Sequence, residues 1–540
     1  MPHNARAFDG DCTFEAREMG IYLFCIAPLC ARPVFRRASH LPGFSSADSE
    51  EFSRKLNMDE CGLQVKIYCI MRAHFMPFTP LRARDMRVFL FCIVLLLGWA
   101  QGAAQAAVFE RTLSNGLKVI VKEDHRAPVI VQQIWYRAGS IDESTGKTGV
   151  AHVLEHMMFK GTKAVPAGEF SRRIAAAGGR ENAFTSSDYT AYFQQLHKSQ
   201  LPLAMKLESD RMHNLDLTAE EFGKEIKVVM EERRMRTDDE PHALMNEKMM
   251  AAIFQEHPYQ HPVIGWMSDL EVMTVEDARA WYKQWYAPNN ATLVIAGDVK
   301  ADEVFALAQR YYGAIPKVAQ PPRRNFTEPP QIGVKRLVVK APAELPLLVM
   351  AYHAPAIANP DRDWKPFALE MLAGVLSGSD SARLNKHLVR EQQIASETDA
   401  GYDSTSRGPG LFSLKATPSA GKTAQDVEAA LRQEIALLVK DGVSEEELKR
   451  SKAQVTADEV YKRDSLFYQA MQIGQMESIG LGHRTIQVML EKLQAVTAEQ
   501  VRQVAKEFLQ DDNLTVAVLD PQPLSGKPKH KAEGGLSHVH

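Results

Sequence analysis

Two distant stretches of this chain align with each other without a gap, and this repeat restricts the possible folds more than any other feature. The first reads TVEDARAWYKQWYAPNNATLVIAGD from Thr274, and the second reads TAEQVRQVAKEFLQDDNLTVAVLDP from Thr497. In this alignment Asn290 pairs with Asn513. The stretches PVIVQQIWYRAG and PLLVMAYHAPA are also similar. Because such repeats indicate duplicated structural units, we predict two copies of one domain.

Each copy is predicted to mix strands with helices. GLKVIVKED and PVIVQQIWYRAG are rich in β-branched residues and are bounded by turn residues, which is typical of strands. GVAHVLEHMMF and AGEFSRRIAAAG have helical patterns, and NAFTSSDYTAYFQQL returns to an alternating, strand-like pattern. We therefore predict an α+β fold of two duplicated α/β-sandwich domains, each with a mixed, mostly antiparallel sheet packed with helices.

A proline-rich stretch separates the two copies. VAQPPRRNFTEPPQIG (318–333) carries four prolines and no helical pattern, so we interpret it as an interdomain linker. The predicted domains span residues 107–317 and 334–521. Residues 522–540 form a predicted flexible tail.

Residues 86–106 have the three parts of a secretory signal. Arginine precedes an apolar core, 88–100, and the small-x-small sequence AQA ends at Ala106. The apolar core is too short to span a bilayer, so we expect cleavage after Ala106, export to the periplasm and no stable membrane anchor. Residues 1–85 then represent either a mis-assigned upstream start of translation or a propeptide.

Composition narrows the redox chemistry and the class of partner. All six cysteines lie within the first 92 residues, so the expected mature chain contains no disulfide. The formal net charge is −3, and no long basic run interrupts the chain. Nucleic acid is therefore not expected as a partner.

The stretch GVAHVLEHMMF brings two histidines and a glutamate to one side of a helix. His152 and His156 are four residues apart, which is about one helical turn, and Glu155 borders them. Zinc binds imidazole nitrogens readily, and catalytic zinc sites use three protein ligands and leave one position for water. A nearby carboxylate can accept a proton from that water. The pattern predicts two zinc ligands and a base; the alternative is a core helix whose histidines only pack.

A second helix, EFGKEIKVVMEERRMR, offers a third ligand. Glu225 and Glu232 are seven residues apart and share a face, which an adjoining apolar stripe is expected to bury. Glu231 is rotated by about 100° from Glu232 and is the poorer candidate.

The second copy of the repeat provides an internal control. FALEM (367–371) takes roughly the place of HVLEH, so the glutamate persists while both histidines become apolar. This difference is expected if the histidines serve chemistry rather than folding.

The sequence H-x-x-E-H followed by such a glutamate resembles the inverzincin peptidases, the pitrilysin/insulysin family that includes the mitochondrial processing peptidases. The resemblance extends from the first predicted strand to the end of the second copy. It implies that this chain forms half of a clamshell and binds one Zn²⁺ through His152, His156 and Glu232. It also implies that Glu155 is the general base and that Glu225 supports the site from outside the ligand set.

Two further stretches resemble the family. NAFTSSDYTAYF is similar to its active-site edge strand, to which a substrate peptide adds as an extra strand. Asn182, Ala183 and Phe184 are therefore expected to border the substrate cleft. HPYQHPVIG resembles a recurrent loop, which we interpret as structural because its prolines argue against a helix that presents His257 and His261 together.

The chain departs from the family at the residues that hold the substrate carbonyl. Active members use an arginine and a tyrosine seven residues apart, whereas here Arg390 is followed at that spacing by Glu397. A carboxylate cannot donate a hydrogen bond to a developing oxyanion. The resemblance implies a dimer, in particular a heterodimer with a homologous subunit that carries the Arg/Tyr pair. Tyr402 in place of the missing tyrosine is the alternative.

These observations favour an exported zinc endopeptidase that cleaves short or unfolded peptides in a cleft between domains. The competing prediction is a non-catalytic peptide-binding or assembly subunit of the same fold. Such subunits lose the metal-binding sequence, and this chain retains it. A third hypothesis, a metal-free scaffold, leaves the spacing of Glu232 unexplained.

Overall fold

The computed structural model describes residues 108–524. The predictions for residues 1–85, for the signal segment 86–106 and for most of the tail 522–540 lie outside these residues. The described residues belong to one compact unit. None of their helices is both long enough and apolar enough to cross a lipid bilayer.

The first half of the described chain builds a six-stranded mixed sheet. Its strands are β1 (Val108–Thr112), β2 (Lys118–Glu123), β3 (Val129–Tyr136), β4 (Arg180–Thr185), β5 (Thr190–His197) and β6 (Ala291–Gly297). The strand order is β1-β2-β6-β3-β5-β4; β2 and β6 run parallel and the other neighbouring pairs run antiparallel. Strand β4 therefore lies at one edge.

The first half also contains a series of α-helices. They are α1 (Val150–Met157), α2 (Glu169–Ala176), α3 (Leu201–Asn214), α4 (Ala219–Arg233), α5 (Pro241–Ile253), α6 (Met267–Leu270), α7 (Val275–Trp285) and α8 (Ala301–Tyr312). Apolar side chains of α1, α3, α4, α7 and α8 form one buried cluster with side chains of the sheet such as Ile134 and Leu293. This cluster is the main core of the first half.

The second half builds a five-stranded sheet. Its strands are β7 (Lys335–Pro342), β8 (Leu347–Ala354), β9 (Ala395–Tyr402), β10 (Gly410–Pro418) and β11 (Leu514–Gln522). Its helices are α9 (Lys365–Ser377), α10 (Ala424–Asp441), α11 (Glu445–Asp464), α12 (Leu466–Ile479), α13 (Thr485–Ala495) and α14 (Ala498–Phe508). A second buried cluster joins α9, α10, α14 and this sheet.

The two sheets repeat one topology. The order β7-β11-β8-β10-β9 matches β2-β6-β3-β5-β4, and the first pair in each series is parallel. Thr274 and Thr497, which begin the aligned stretches, are the N-caps of α7 and α14, and each forms a capping box with the residue three positions later. The predicted α+β fold with duplicated, mostly antiparallel sheets is confirmed.

The stretch NAFTSSDYTAYFQQL, predicted as strand, contains two strands and a turn. The backbone N–H of Ser186 donates to the carbonyl of Tyr189 at 2.8 Å. The Ser186 hydroxyl oxygen accepts hydrogen bonds from the backbone N–H groups of Asp188 and Tyr189 at 3.1 and 3.2 Å. Such side-chain bonds favour turns. The stretch therefore supplies the edge strand β4 and the interior strand β5.

Each half covers the outer face of the other half's sheet with one helix. Met245 and Met249 of α5 pack against β7, β8 and β11. Ala470 and Ile473 of α12 pack against the first sheet, where they meet Trp135 of β3. Because apolar burial drives folding, each sheet gains its second buried face from the other half.

Residues 318–333, the predicted linker, contain neither helix nor strand. They are nevertheless held to the rest of the protein by hydrogen bonds and apolar packing. Arg323 donates hydrogen bonds to Asp142 Oδ1 at 2.7 Å and to Asn290 Oδ1 at 2.9 Å. The Glu328 carboxylate accepts hydrogen bonds from three successive backbone N–H groups after α5, at 2.6 to 3.1 Å. Phe326 packs against the cluster that α5 forms with the second sheet. The connection is therefore fixed along the protein rather than loosely tethered.

The contact between α12 and the first sheet can be tested at Gly474. A Cβ atom at this position would lie 2.1 Å from the indole ring of Trp135. We expect Gly474→Ala to separate α12 from the sheet and to lower the free energy of unfolding by about 1–3 kcal/mol. Gly223→Ala is the matched control, because Gly223 also lies in a helix and has open space at its Cβ position. It should raise the free energy of unfolding by about 0.5–1 kcal/mol. Equal denaturation midpoints for the two variants would contradict this packing.

Candidate metal centre

Helix α1 is fixed at its N-terminus. Gly149 precedes the helix in a left-handed conformation (φ 88°), and a Cβ atom there would lie 2.5 Å from the carbonyl oxygen of Ile264. The carboxylate of Glu143 accepts hydrogen bonds from the backbone N–H groups of Gly149 and Ala151, both at 2.8 Å. A carboxylate at this place satisfies N–H groups that lack helical partners and interacts favourably with the helix dipole. The loop that contains Ile264, HPYQHPVIG, thus holds α1 in place.

The structure brings His152, His156 and Glu232 together. All eight residues of α1 are buried, and the Glu232 carboxylate on α4 lies close to both imidazoles. Glu232 Oε2 lies 3.9 Å from His152 Nε2 and 3.3 Å from His156 Nε2, and one ligand atom from each of the three residues lies within 4.8 Å of the others. Two atoms that are each about 2.1 Å from a tetrahedral ion are separated by about 3.4 Å. The donor set and its spacing therefore fit a zinc ion.

Glu225 supports His156 from the opposite side of the ring. The two residues share a hydrogen bond of 2.9 Å between His156 Nδ1 and Glu225 Oε1. This bond fixes the imidazole orientation and directs Nε2 towards Glu232. Lys160 Nζ lies 2.5 Å from Glu225 Oε2 and holds that carboxylate in turn. The sequence offered no signal for Lys160, because it follows the end of α1.

The carboxylates around His156 give the site a negative electrostatic potential. Burial opposes a charged imidazolium, but hydrogen bonds with Glu225 and Glu232 outweigh burial and raise the pKa of His156 to about 9. Burial also favours the neutral form of Glu225, yet its bonds to His156 and Lys160 lower its pKa below the usual value. An environment that stabilises a buried imidazolium also attracts a cation.

The two neighbouring glutamates of α4 have different surroundings. Glu232 is largely buried, and its second oxygen, Oε1, pairs with Arg236 Nη1 at 2.8 Å. Glu231 instead pairs with Arg234 at 2.9 Å on the exposed side of the helix. The spacing of four residues between Glu232 and Arg236 is a signal in the sequence that predicts this pair.

Glu155 is fully buried beside the edge strand. Its Oε2 accepts a hydrogen bond of 2.5 Å from the hydroxyl of Thr185, the last residue of β4. This contact places the carboxylate of α1 at the end of the strand that forms the sheet edge. Local sequence patterns gave no indication of the Thr185 contact, because it joins residues on separate elements.

Three of the four predicted substrate-binding residues lie on β4 but face different ways. Ala183 is buried, and Asn182 Oδ1 accepts a hydrogen bond from the Ala183 N–H at 2.9 Å. Phe184 points to the opposite face of the sheet, where its ring lies 5.3 Å from Trp135 and 6.2 Å from Tyr189. This alternation is the ordinary period of a strand.

Arg390 lies away from this cluster. It is exposed in the π-helical segment Asn385–Glu391, and its Nη2 donates to the Asp380 carbonyl at 2.6 Å. Glu397 is exposed on β9, and the Tyr402 hydroxyl donates to the carbonyl of Pro355.

The corresponding place in the second half has lost its histidines. Helix α9 follows β8 as α1 follows β3, and Phe367 and Met371 are buried in its core. Glu370 accepts a hydrogen bond from Ser404, as Glu155 does from Thr185. The apolar residues that replace the two histidines in the second copy therefore lie at equivalent positions of the fold, as the sequence comparison predicted.

One other group in the described residues has metal-ligand spacing: Glu110, Glu477 and His483. Lys118 Nζ lies 2.9 Å from Glu477 Oε2 and 3.1 Å from Glu110 Oε2. Arg484 Nη2 also lies 3.4 Å from Glu110 Oε1, so two cations balance the two carboxylates and the group is an ion-pair cluster.

Two family models match the chain. The model described as Insulinase (Peptidase family M16) matches residues 118–266, and the model described as Peptidase M16 inactive domain matches residues 273–455. The first range contains the H-x-x-E-H sequence and Glu232. An uncharacterized zinc protease of Mycobacterium tuberculosis is 30% identical over 430 residues, which cover 78% of this chain and 95% of that protein.

Solved structures share the fold. A protease from Helicobacter pylori is 27% identical with a TM-score of 0.73, and the match covers 77% of this chain and 100% of that one. The periplasmic protease PqqL from Escherichia coli has a TM-score of 0.67 at 18% identity, and the match covers 78% of this chain and 48% of PqqL. At that identity the likeness to PqqL shows the fold alone. The resemblance predicted from H-x-x-E-H is confirmed, and this chain belongs to the insulinase family, peptidase family M16.

Proposed function

We propose that this chain is a zinc-dependent endopeptidase that cleaves short or unfolded peptides. The observation that carries the proposal is the convergence of His152, His156 and Glu232, with Glu155 on the same buried helix as the histidines. Two imidazoles and one carboxylate form a donor set that catalytic zinc sites use, and one ion per chain is expected. The name of the mycobacterial relative, a zinc protease, supports the same cofactor.

The side chains of this site have separate tasks. Zinc, when bound, supplies a Lewis acid for the scissile carbonyl and lowers the pKa of water at the site. Glu155 accepts the proton of the attacking water and passes it to the leaving amine. The hydroxyl of Thr185 donates to Oε2 of Glu155 and holds this carboxylate in place. Glu225 holds the ring of His156 in its orientation.

Strand β4 is proposed to bind the substrate. It pairs with β5 and forms the sheet edge, and its last residue contacts Glu155. A peptide that adds to β4 as an extra strand passes the proposed base. Backbone groups of successive strand residues point alternately to the two sides of the strand. Ala183 then offers backbone hydrogen bonds to the peptide, while the backbones of its neighbours Asn182 and Phe184 pair with β5. The side chain of Phe184 packs on the other face of the sheet.

A partner subunit is proposed to complete the site. Arg390 is exposed, Glu397 stands where the family has tyrosine, and the hydroxyl of Tyr402 is bonded to Pro355. PqqL supports the pairing of two such units, because the match covers only 48% of that chain. We propose a dimer with a homologous subunit that donates the arginine and tyrosine.

We also propose that residues 86–106 direct export to the periplasm and are removed. The mature protein then has a zinc-bearing domain, 107–317, and a degenerate domain, 334–521, joined by residues 318–333. The missing histidines on α9 support the second assignment.

The second candidate is a non-catalytic subunit that binds peptides. It is favoured by the match of residues 273–455 to a model described as an inactive domain. The metal-site residues lie outside that range, in the part that matches the peptidase model. The endopeptidase is therefore the better-supported function.

Zinc content tests the ligand set. We expect about one zinc per purified chain. Loss of a residue that only supports a zinc ligand weakens metal binding by about 10–100-fold, and we expect Glu232→Gln to weaken it by more. Glu231→Gln is the matched control, since this neighbour is exposed and pairs with Arg234. Chelator competition measures the affinity. Equal losses in the two variants would remove Glu232 from the ligand set.

Peptide cleavage tests the chemistry. A quenched mixed-peptide library should be cleaved by the protein with its partner, and Glu155→Gln should reduce turnover by at least about 100-fold while zinc content stays unchanged. Cleavage by this chain alone would show that no partner subunit of different sequence is needed. Zinc binding without cleavage, even beside a homologous partner, would favour the non-catalytic subunit.

Thr185 is proposed as a positioning residue for Glu155. Thr185→Val removes the donor to Glu155 Oε2, and we expect kcat to fall about 10-fold with KM and zinc content unchanged. Thr185→Ser keeps the hydroxyl and should retain activity. A similar loss of kcat in both variants would assign the effect to packing of the methyl group.

A further inference from the structure

A cavity of about 310 Å³ lies where the linker meets both halves of the protein. Its lining includes Arg137, which follows β3, and Arg323 and Arg324 of the linker. Arg407, from the loop between β9 and β10, completes a set of four arginines, and His257 is also present. The volume is at the lower end of the about 300–1,000 Å³ range of ligand pockets. Its lining is strongly basic.

Two carboxylates act on these arginines, Asp142 and Asp188, and they neutralise only part of the charge. Asp142 accepts hydrogen bonds from Arg407 Nη1 and Nη2 at 2.7 and 2.9 Å, and Arg323 Nη1 donates to it at 2.7 Å. Within residues 108–524, neither Arg137 nor Arg324 forms an ion pair with a carboxylate. The Nε atom of Arg137 is buried and has no hydrogen-bond partner there.

Burial opposes the charge of Arg407, but Asp142 and Asp188 outweigh burial and raise its pKa, whereas the shifts of two neighbouring arginines agree with an excess of positive charge. Burial, joined by repulsion from Arg407 and Arg137, lowers the pKa of Arg323 to about 10 despite the attraction of Asp142. Burial and the charge of Arg407 also lower the pKa of Arg137. Burial lowers the pKa of His257 to about 4, so its ring is neutral at pH 7.

We propose that this cavity binds a phosphate-type oxyanion. Guanidinium groups are planar and present several donors, so arginines that surround one space can each direct N–H groups at a different oxygen of a tetrahedral anion. Arg324 is exposed and lines the cavity, so an anion can reach the cavity from solvent at this residue. Free phosphate, pyrophosphate and the phosphate groups of nucleotides share this chemistry.

The anion would join three segments that do not follow one another in the chain. Arg137 belongs to the first half, Arg324 to the linker and Arg407 to the second half. Asp142, which holds two of the arginines, precedes Glu143, the residue that caps α1. The site therefore lies beside the structure that supports the proposed catalytic helix, although it does not depend on the proposed peptidase activity.

Calorimetric titration of pyrophosphate into the purified protein tests the proposal at constant ionic strength, because salt weakens all surface binding. We expect one pyrophosphate per chain. Arg324→Gln and Arg137→Gln should each weaken binding by about 10-fold or more, the effect of losing one charge-assisted bond. Arg310→Gln on α8, an exposed arginine outside the cavity, should leave the affinity unchanged.

The same titration with orthophosphate, ATP and citrate distinguishes which kind of phosphate compound the cavity binds. Tighter binding of ATP than of pyrophosphate assigns the cavity to nucleotides, and equal binding assigns it to phosphate groups alone. Equal affinity for pyrophosphate in all variants, or citrate binding as tight as pyrophosphate, overturns the proposal. If Arg137→Gln loses its fold, the exposed Arg324 decides the test.

Discussion

The structure depends on satisfying the polar groups of a helix that is wholly buried. Helix α1 carries His152, Glu155 and His156 into the core, where unpaired polar groups cost several kcal/mol. Their partners come from other elements, namely the carboxylates of α4 and the hydroxyl of Thr185 on β4. The contacts that make burial of α1 tolerable are therefore the same contacts that shape the candidate metal centre.

In the second half, the helix equivalent to α1 has fewer buried polar groups that need partners. In the second half Phe367 and Met371 occupy the histidine positions, so the helix packs by apolar contact. Glu370 keeps its hydrogen bond with a hydroxyl, that of Ser404. The same topology thus accommodates a polar helix in one copy and a largely apolar helix in the other, which explains why one fold can retain or lose a metal site without changing its sheets.

The two halves nevertheless act as one structural unit. Helices α5 and α12 each cover the opposite half's sheet, and the linker is bonded along the junction. The arginine-lined cavity arises at this junction, where Arg323 and Arg407 converge on Asp142. Because Asp142 adjoins Glu143, which caps α1, the junction and the candidate metal centre share one short segment of chain.

The sequence by itself determined the features that are local or repeated. The spacing of His152 and His156 specifies one helical face, the pattern of α4 brings Glu232 to a buried face, and the alignment of Thr274 with Thr497 predicts two equivalent domains. Only the tertiary structure decided which distant segments meet. Residues far apart in the chain meet in three places. Helices α5 and α12 each cover the other half's sheet, Thr185 contacts Glu155, and four arginines line one cavity. Local periodicity specifies which side of an element is apolar, but it carries no information about which other element packs there.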